Sequence, residues 1–308
     1  LGEFFIKLWC YGRMRSAAIA SSPHPILARA ALLGSAVCFG LMAVLARLLS
    51  RPGMGFTPGQ LAVLRFVVGI VVCLGAFRVW PGLYSPRNYK VLISRGITGG
   101  LVVVLYFDVL ARIRAGEAGL IYNLFPVFAT LMALYVFRER PTVHLFLAVL
   151  LASAGVVLVL GQAPVAFRVG RGELAALAAA LFAAASAIAI RQARPENNST
   201  VIFFFFSLVG LPVVAPFAFS PWPRTLVPWL VGVLMSLAAL GAQVLMAEAY
   251  GTLSITEAAV WLQLTPIATY LLAVPLLGEP VSAPGLAGVL LTVAGVAYGT
   301  VKGSQSRP

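Results

Sequence analysis

The sequence predicts an all-α membrane protein of ten transmembrane helices, arranged as two inverted five-helix repeats with both termini cytoplasmic. Three observations carry that prediction. Apolar stretches long enough to cross about 30 Å of hydrocarbon recur along nearly the whole chain. Lysine and arginine fall unequally on alternate connections. The second half also repeats the first at a fixed offset.

Of 308 residues, 61% are hydrophobic and 10% charged, so a soluble fold could not cover itself with polar surface. The spans are read, in order, with their boundary signals. The first, 27–49, stops before Pro52-Gly53; the second, 58–79, carries Arg65; and the third, 89–110, carries Asp108 near its end. The fourth, 116–137, opens on Glu117 and holds Pro126 centrally, and the fifth, 143–160, follows Glu139 and Pro141. An alanine-rich sixth, 172–190, ends before Pro195, and a phenylalanine-rich seventh, 200–219, ends before Pro221. The eighth is 226–250, the ninth 254–277 with Glu257 at its start and Pro266 within, and the tenth 281–301 after Glu279. Nothing is left over for a soluble head, so the domains are a basic segment 1–26, a first repeat 27–160, a second repeat 172–301 and a tail 302–308. Leu1–Arg13 precede the first methionine and read as residues introduced by expression cloning.

The net charge of +13 could suggest nucleic acid, but topology explains it better. With the N-terminus inside, 14 lysines and arginines fall on cytoplasmic segments, Arg78, Arg87, Lys90 and Arg95 among them, and 7 on outer ones, with Arg65 left within a span. That bias places both termini in the cytoplasm. No nucleic-acid partner is implied; the partners are the lipid bilayer and a small-molecule substrate.

At an offset of 140 residues, Glu117-Ala118 matches Glu257-Ala258, Pro126 matches Pro266, Glu139 matches Glu279, and Ala154-Gly155-Val156 matches Ala294-Gly295-Val296. Thirteen of the 40 positions from 117 to 156 are identical without a gap. The offset covers five helices, an odd number, so equivalent helices run in opposite directions. Inverted repeats of this kind typify secondary transporters with a site near the midplane.

These residues resemble the EamA-domain branch of the drug/metabolite transporter superfamily. The shared pattern is Glu, an apolar helix with a central Pro, a second Glu near the helix end, then Ala-Gly-Val; Arg65-Phe66 after Gln60-Leu61-Ala62 fits it too. The resemblance covers about residues 27–301. It implies that helices 1, 3, 4, 6, 8 and 9 surround a central cavity while helices 5 and 10 pack outside, and it implies alternating-access transport of amino acids or related metabolites, with export favoured. Uptake of a nucleoside-like or vitamin-like metabolite is the alternative. Phe205-Phe206 in place of Arg65-Phe66, and Gly278 opposite Arg138, depart from the repeat.

Charges inside a bilayer are costly and line water, a ligand or one another. Arg65 lies roughly 10 Å into its span, placed either to attract a substrate carboxylate or to pair with Asp108 or helix-end carbonyls. Asp108 and Glu248 occupy equivalent positions and are candidates for binding an amine or carrying a coupling proton; the alternative is an interfacial carboxylate. Glu117 and Glu257 read as favourable charges at helix N-termini, and Glu139 and Glu279 as caps of helices 5 and 10.

The strongest substrate-binding candidates are Asn123 and Gln263, equivalent amides three residues before Pro126 and Pro266. Each proline kinks its helix and frees a carbonyl, leaving paired polar groups near the midplane; bonding between helices is the alternative. Phe39, Tyr106, Tyr122 and Trp261, with Phe182 and Ser186 on helix 6 and Gln243 on helix 8, complete the candidate lining. Phe203–Phe206 are expected to face lipid or a neighbouring helix. Gly295 and Gly299 have GxxxG spacing and predict close packing of helices 5 and 10 within a monomer, with a homodimer as the alternative.

His24 and His144 have no ligand cluster around them and the three cysteines suggest no disulfide framework, so no metal site and no cofactor are expected. Gly-Lys-Ser/Thr is absent, which excludes an ATP-driven pump within this chain. The single Asp and the lack of HExxH argue against an intramembrane enzyme. A channel would not require the duplication.

Overall fold

The computed structural model describes residues 25–51, 53–112, 121–139, 142–160 and 170–305. In order the helices are α1 Pro25–Leu49, α2 Pro58–Val79, α3 Tyr89–Arg112, α4 Phe125–Val136, α5 Val143–Leu160 and α6 Arg171–Ala193. They continue as α7 Ser199–Val214, α8 Leu226–Tyr250, α9 Ile255–Leu262, α10 Leu264–Leu277 and α11 Ala283–Gln305. Among the described residues nine spans are long and apolar enough to cross a membrane, α9 and α10 counting together as one, and α4 is a shorter tenth. The protein is therefore an all-helical multi-pass membrane protein.

Local chemistry explains most boundaries. Thr57 caps α2, its hydroxyl accepting from the Gln60 N–H while the Gln60 side chain accepts from the Thr57 N–H, with Pro58 in the first turn. Asn198 caps α7 and Ser254 caps α9 in the same sense. Gly278 ends α10 in the left-handed region at φ 70°, which favours glycine. The seventh span stops at Val214, short of the 219 expected, because Pro216 has no N–H and the chain tightens into a 3₁₀ turn over Ala215–Phe217. Glu139 and Glu279 do not cap the helices that follow them. Thr142 and Ser282, also 140 residues apart, supply those caps to Leu145 and Gly285. Glu139 instead accepts from the Ile255 N–H at the start of α9, and Glu279 pairs with Arg47 at 2.5 Å. Glu117 lies outside the described residues.

The helices pack in exchanged pairs. α1 lies on α8 as α3 lies on α6; α3 meets α7 as α8 meets α2; α2 packs on α7; and α5 packs on α11. The α2–α7 contact joins Phe66 to Phe206, ring centroids 5.0 Å apart and edge to face. Phe203–Phe206 are all buried, between 2% and 7% exposed, so they pack against neighbouring helices and the lipid-facing alternative is discarded.

The α5–α11 pair is the closest approach. A methyl at Gly288 would stand 2.5 Å from the Gly155 carbonyl oxygen, and one at Gly295 2.7 Å from the Ala152 nitrogen. Thr292 tucks its hydroxyl back onto the Gly288 carbonyl at 2.9 Å, so the seam stays dry without an orphaned polar group. His144 and Tyr298 close it with a 2.7 Å hydrogen bond. The small residues thus serve contact inside one chain, as expected. Gly288→Val should lower stability in detergent by about 1–3 kcal/mol through overpacking, read as an earlier unfolding midpoint, whereas Gly75→Ala, with open space around it, should leave the midpoint in place.

Candidate functional site

The interior of the bundle holds a polar cluster where the sequence reading expected uncharged amides, and an arginine lies at the centre of that cluster. Arg95 lies six residues into α3, roughly 9 Å along the axis, and is only 3% exposed. Its Nη1 donates to the Ser186 hydroxyl of α6 at 2.6 Å and its Nη2 to the Gln243 Oε1 of α8 at 2.8 Å. Its guanidinium stands 4.0 Å from the centroid of the Phe206 ring, at cation–π range. Nε of Arg95 is buried with no partner. Gly99, one turn on, leaves the room: a methyl there would collide with the Arg95 guanidinium and the Phe206 ring.

A second guanidinium shares that ring. Arg65 of α2 lies 5.8 Å from the Phe206 centroid and 5.3 Å from that of Phe66, and its hydrogen-bonding contact is the Met42 sulfur at 3.8 Å. Arg95 lies within electrostatic range of Arg65, Tyr122 and Tyr250, and Tyr122 within range of Arg65 and Tyr250 as well. Tyr122 packs edge to face on Tyr106 with centroids 5.4 Å apart and stacks on Phe125 at 6.2 Å. The Tyr250 hydroxyl is buried without a partner.

Of the expected residues, the structure therefore gathers Arg65, Tyr106, Tyr122, Ser186 and Gln243 around an arginine that the charge count had assigned to a cytoplasmic connection. Arg95 is inside the bundle. The signal was available, since residue 95 already lay within the third span by its own boundaries. Phe39 and Phe182 are half-buried, Phe39 against the main core.

The amides behave differently. The fourth span turns at Asn123 and Leu124 before α4, with Pro126 in its first turn, and the ninth breaks at Gln263 between α9 and α10, with Pro266 three residues beyond Gln263 in the first turn of α10. Asn123 is 9% exposed. Gln263, 1% exposed, donates through Nε2 to the Val149 carbonyl and accepts from the Ser153 hydroxyl, both at 3.2 Å, so its amide ties the break to α5. Trp261 turns toward a lateral apolar groove of about 670 Å³ between α1, α10 and α11. Its indole N–H has no partner.

Both carboxylate oxygens of Glu248 are engaged within the protein. One oxygen pairs with Arg194 at 2.8 Å and the other accepts from the Ser199 hydroxyl at 2.6 Å, which leaves it structural work between α6, α7 and α8. Asp108 lies half-buried near the end of α3 and is engaged in an interaction of its own. Below the arginine pair, Glu257 receives Arg29 at 2.8 Å, and Arg191 donates to the Tyr250 and Leu253 carbonyls at 2.5 and 2.7 Å. These contacts draw the start of α1 and α9 and the ends of α6 and α8 together. Among the described residues no group of His, Cys, Asp and Glu could hold a metal.

The model of the EamA-like transporter family matches residues 27–161 and again 170–299. The chain belongs to that family. This EamA-family protein is similar to the pseudopaline exporter CntI of Pseudomonas aeruginosa strain UCBPP-PA14, 25% identical over 237 residues, 74% of this chain and 83% of that protein. The CntI of strain PAO1 is 24% identical over the same shares. A solved crystal structure shares the fold with a TM-score of 0.73 at 24% identity, covering 91% of this chain and 99% of that one. The family and the apolar helices together make it a multi-pass membrane transporter of a small molecule.

Gln263→Ala should cost stability by about 1–3 kcal/mol, since Val149 and Ser153 lose a buried partner, and the loss should appear in detergent unfolding whether or not a substrate is present. A variant with unchanged unfolding and altered substrate affinity would return Gln263 to the binding surface.

Proposed function

We propose that the chain is a secondary transporter of the cytoplasmic membrane that exports a small metabolite, an amino acid or a related compound, by alternating access between two inverted five-helix halves, residues 27–160 and 172–301. The observation that carries this reading is the exchanged pairing of helices. The principal contacts of first-half helices with second-half helices recur with the halves swapped, α1 on α8 and α6 on α3, α2 on α8 and α7 on α3, α1 on α10 and α6 on α4. Two arrangements of near-equal energy are open to such a structure, one the inverse of the other.

The substrate is placed between the broken fourth and ninth spans and α3, α6 and α8, with Arg95 at its centre, Ser186 and Gln243 beside it and Tyr106 and Tyr122 as the aromatic wall. The cytoplasmic end is the one gathered by Arg29–Glu257, by Arg194–Glu248 and by Arg191 of α6 on the Tyr250 carbonyl that ends α8. Energy comes from a solute or ion gradient, with Asp108 the remaining candidate for a coupling proton.

Purified protein in liposomes should give saturable exchange of a radiolabelled metabolite, faster with unlabelled metabolite on the far side and without ATP. Flux that fails to saturate would favour a channel. Reporter fusions at Pro308 should report a cytoplasmic terminus, and fusions in the 51–57 connection an external one; the reverse pattern would remove the topology.

A further inference from the structure

We propose that Arg65 and Arg95 form a two-cation site for a small organic anion bearing two acidic groups, so that the transported species is a dicarboxylate or its equivalent rather than a neutral or zwitterionic metabolite. The inference rests on the transport reading for its location, and on four observations of its own.

First, the contacts made by the two guanidiniums are to neutral groups. Arg95 donates to a hydroxyl and an amide oxygen, and Arg65 reaches a thioether; the ion pairs seen among the described residues involve Arg29, Arg47 and Arg194, each near a helix end. Second, the donors are incompletely used. Arg95 keeps a buried unpartnered Nε, and a guanidinium offers five N–H groups in a fork that fits a carboxylate. Third, both cations stand on one ring, 4.0 and 5.8 Å from the Phe206 centroid, so their central carbons lie within about 10 Å of each other. Like charges so placed in a water-poor interior repel. Fourth, the buried Tyr250 hydroxyl, also without a partner and within electrostatic range of Arg95, adds a neutral donor to the same place.

A purely structural link between α3, α6 and α8 would need only a neutral donor at residue 95, and would need nothing at residue 65. Two cations without an acid, Arg95 buried and Arg65 half-buried beside it, instead describe a binding surface whose counter-charge arrives with the ligand. One acidic group per guanidinium satisfies the forks and removes the repulsion together. A net-neutral zwitterion brings its ammonium group into a positive field with a single carboxylate to offset it, whereas an acidic amino acid still presents one carboxylate to each guanidinium.

The test uses the full-length protein in detergent and in liposomes, with pairs of probes matched in shape: succinate against succinamide, glutarate against glutaramide, and L-glutamate against L-glutamine, at constant ionic strength. The acids should bind saturably and raise the unfolding midpoint while the amides do not. Arg65→Gln and Arg95→Gln should each weaken acid binding by about tenfold or more, the loss of a charged hydrogen-bond partner. Arg95→Lys, which keeps the charge and guards against a folding defect, should weaken it less than Arg95→Gln. Amides binding as well as acids, no acid binding at all, or Arg65→Gln binding acids like the parent protein would overturn the proposal. Acids that bind without any flux in liposomes would remove the transport reading and leave the anion site standing. Uncharged or zwitterionic solutes carried unchanged by both Gln variants would do the opposite.

Discussion

In a hydrocarbon solvent a polar group has no water to turn to, so each one must be matched within the protein or by what the protein binds. The packing follows from that constraint. The serine and threonine hydroxyls of the spans bend back onto carbonyls, Thr130 to Pro126, Ser236 to Gly232, Thr269 to Thr265 and Thr300 to Val296, all at 2.8–2.9 Å. Glutamates gather at helix ends beside arginines. Where the chain breaks a helix, at Gln263, the side chain of the break itself supplies bonds to α5. Ser207, Thr256 and Trp261 also keep a buried polar atom without a partner, but the Nε of Arg95 and the hydroxyl of Tyr250 lie within electrostatic range of each other, so that two such groups share one place.

Polar ties between the two halves occur at both ends of the bundle and in the middle. Arg29 with Glu257 and the Ile255 N–H with Glu139 join them at one end. Arg47 with Glu279, and Gln60 with the Ser220 and Pro221 carbonyls, join them at the other. Between these lie Ser35 on the Ala242 carbonyl and the bonds from Arg95 to Ser186 and Gln243. A movement of one half against the other must exchange some of these ties. The paired α5 and α11, whose backbones nearly touch, are suited to stay together while it does.

The features legible in the sequence are those that a single stretch of chain determines. Span length and the breaks near Pro126 and Pro266 are of this kind, and the structure has each of them. What the sequence concealed depends on partners distant along the chain. Arg95 lies inside the third span by its boundaries, but its bonds to Ser186 and Gln243 exist only once α6 and α8 meet α3; Arg194 and Ser199 likewise reach the oxygens of Glu248 only in the folded chain. Gln263 resembles a ligand-binding amide until Val149 and Ser153 are seen beside it. The phenylalanine run shows the same limit, because an apolar residue in a membrane protein suits lipid and protein equally well by composition, and only packing distinguishes Phe206, which faces two guanidiniums, from residues that face the bilayer.

The lateral groove walled by Leu33, Val37, Leu271, Val293 and Val301, with Trp261 among its lining residues, makes the protein's perimeter uneven at the height of the ninth span's break. A smooth cylinder would be indifferent to the order of the surrounding acyl chains. This one has an apolar furrow beside the broken helix, which straight, tightly packed chains would fill less well than disordered or branched ones.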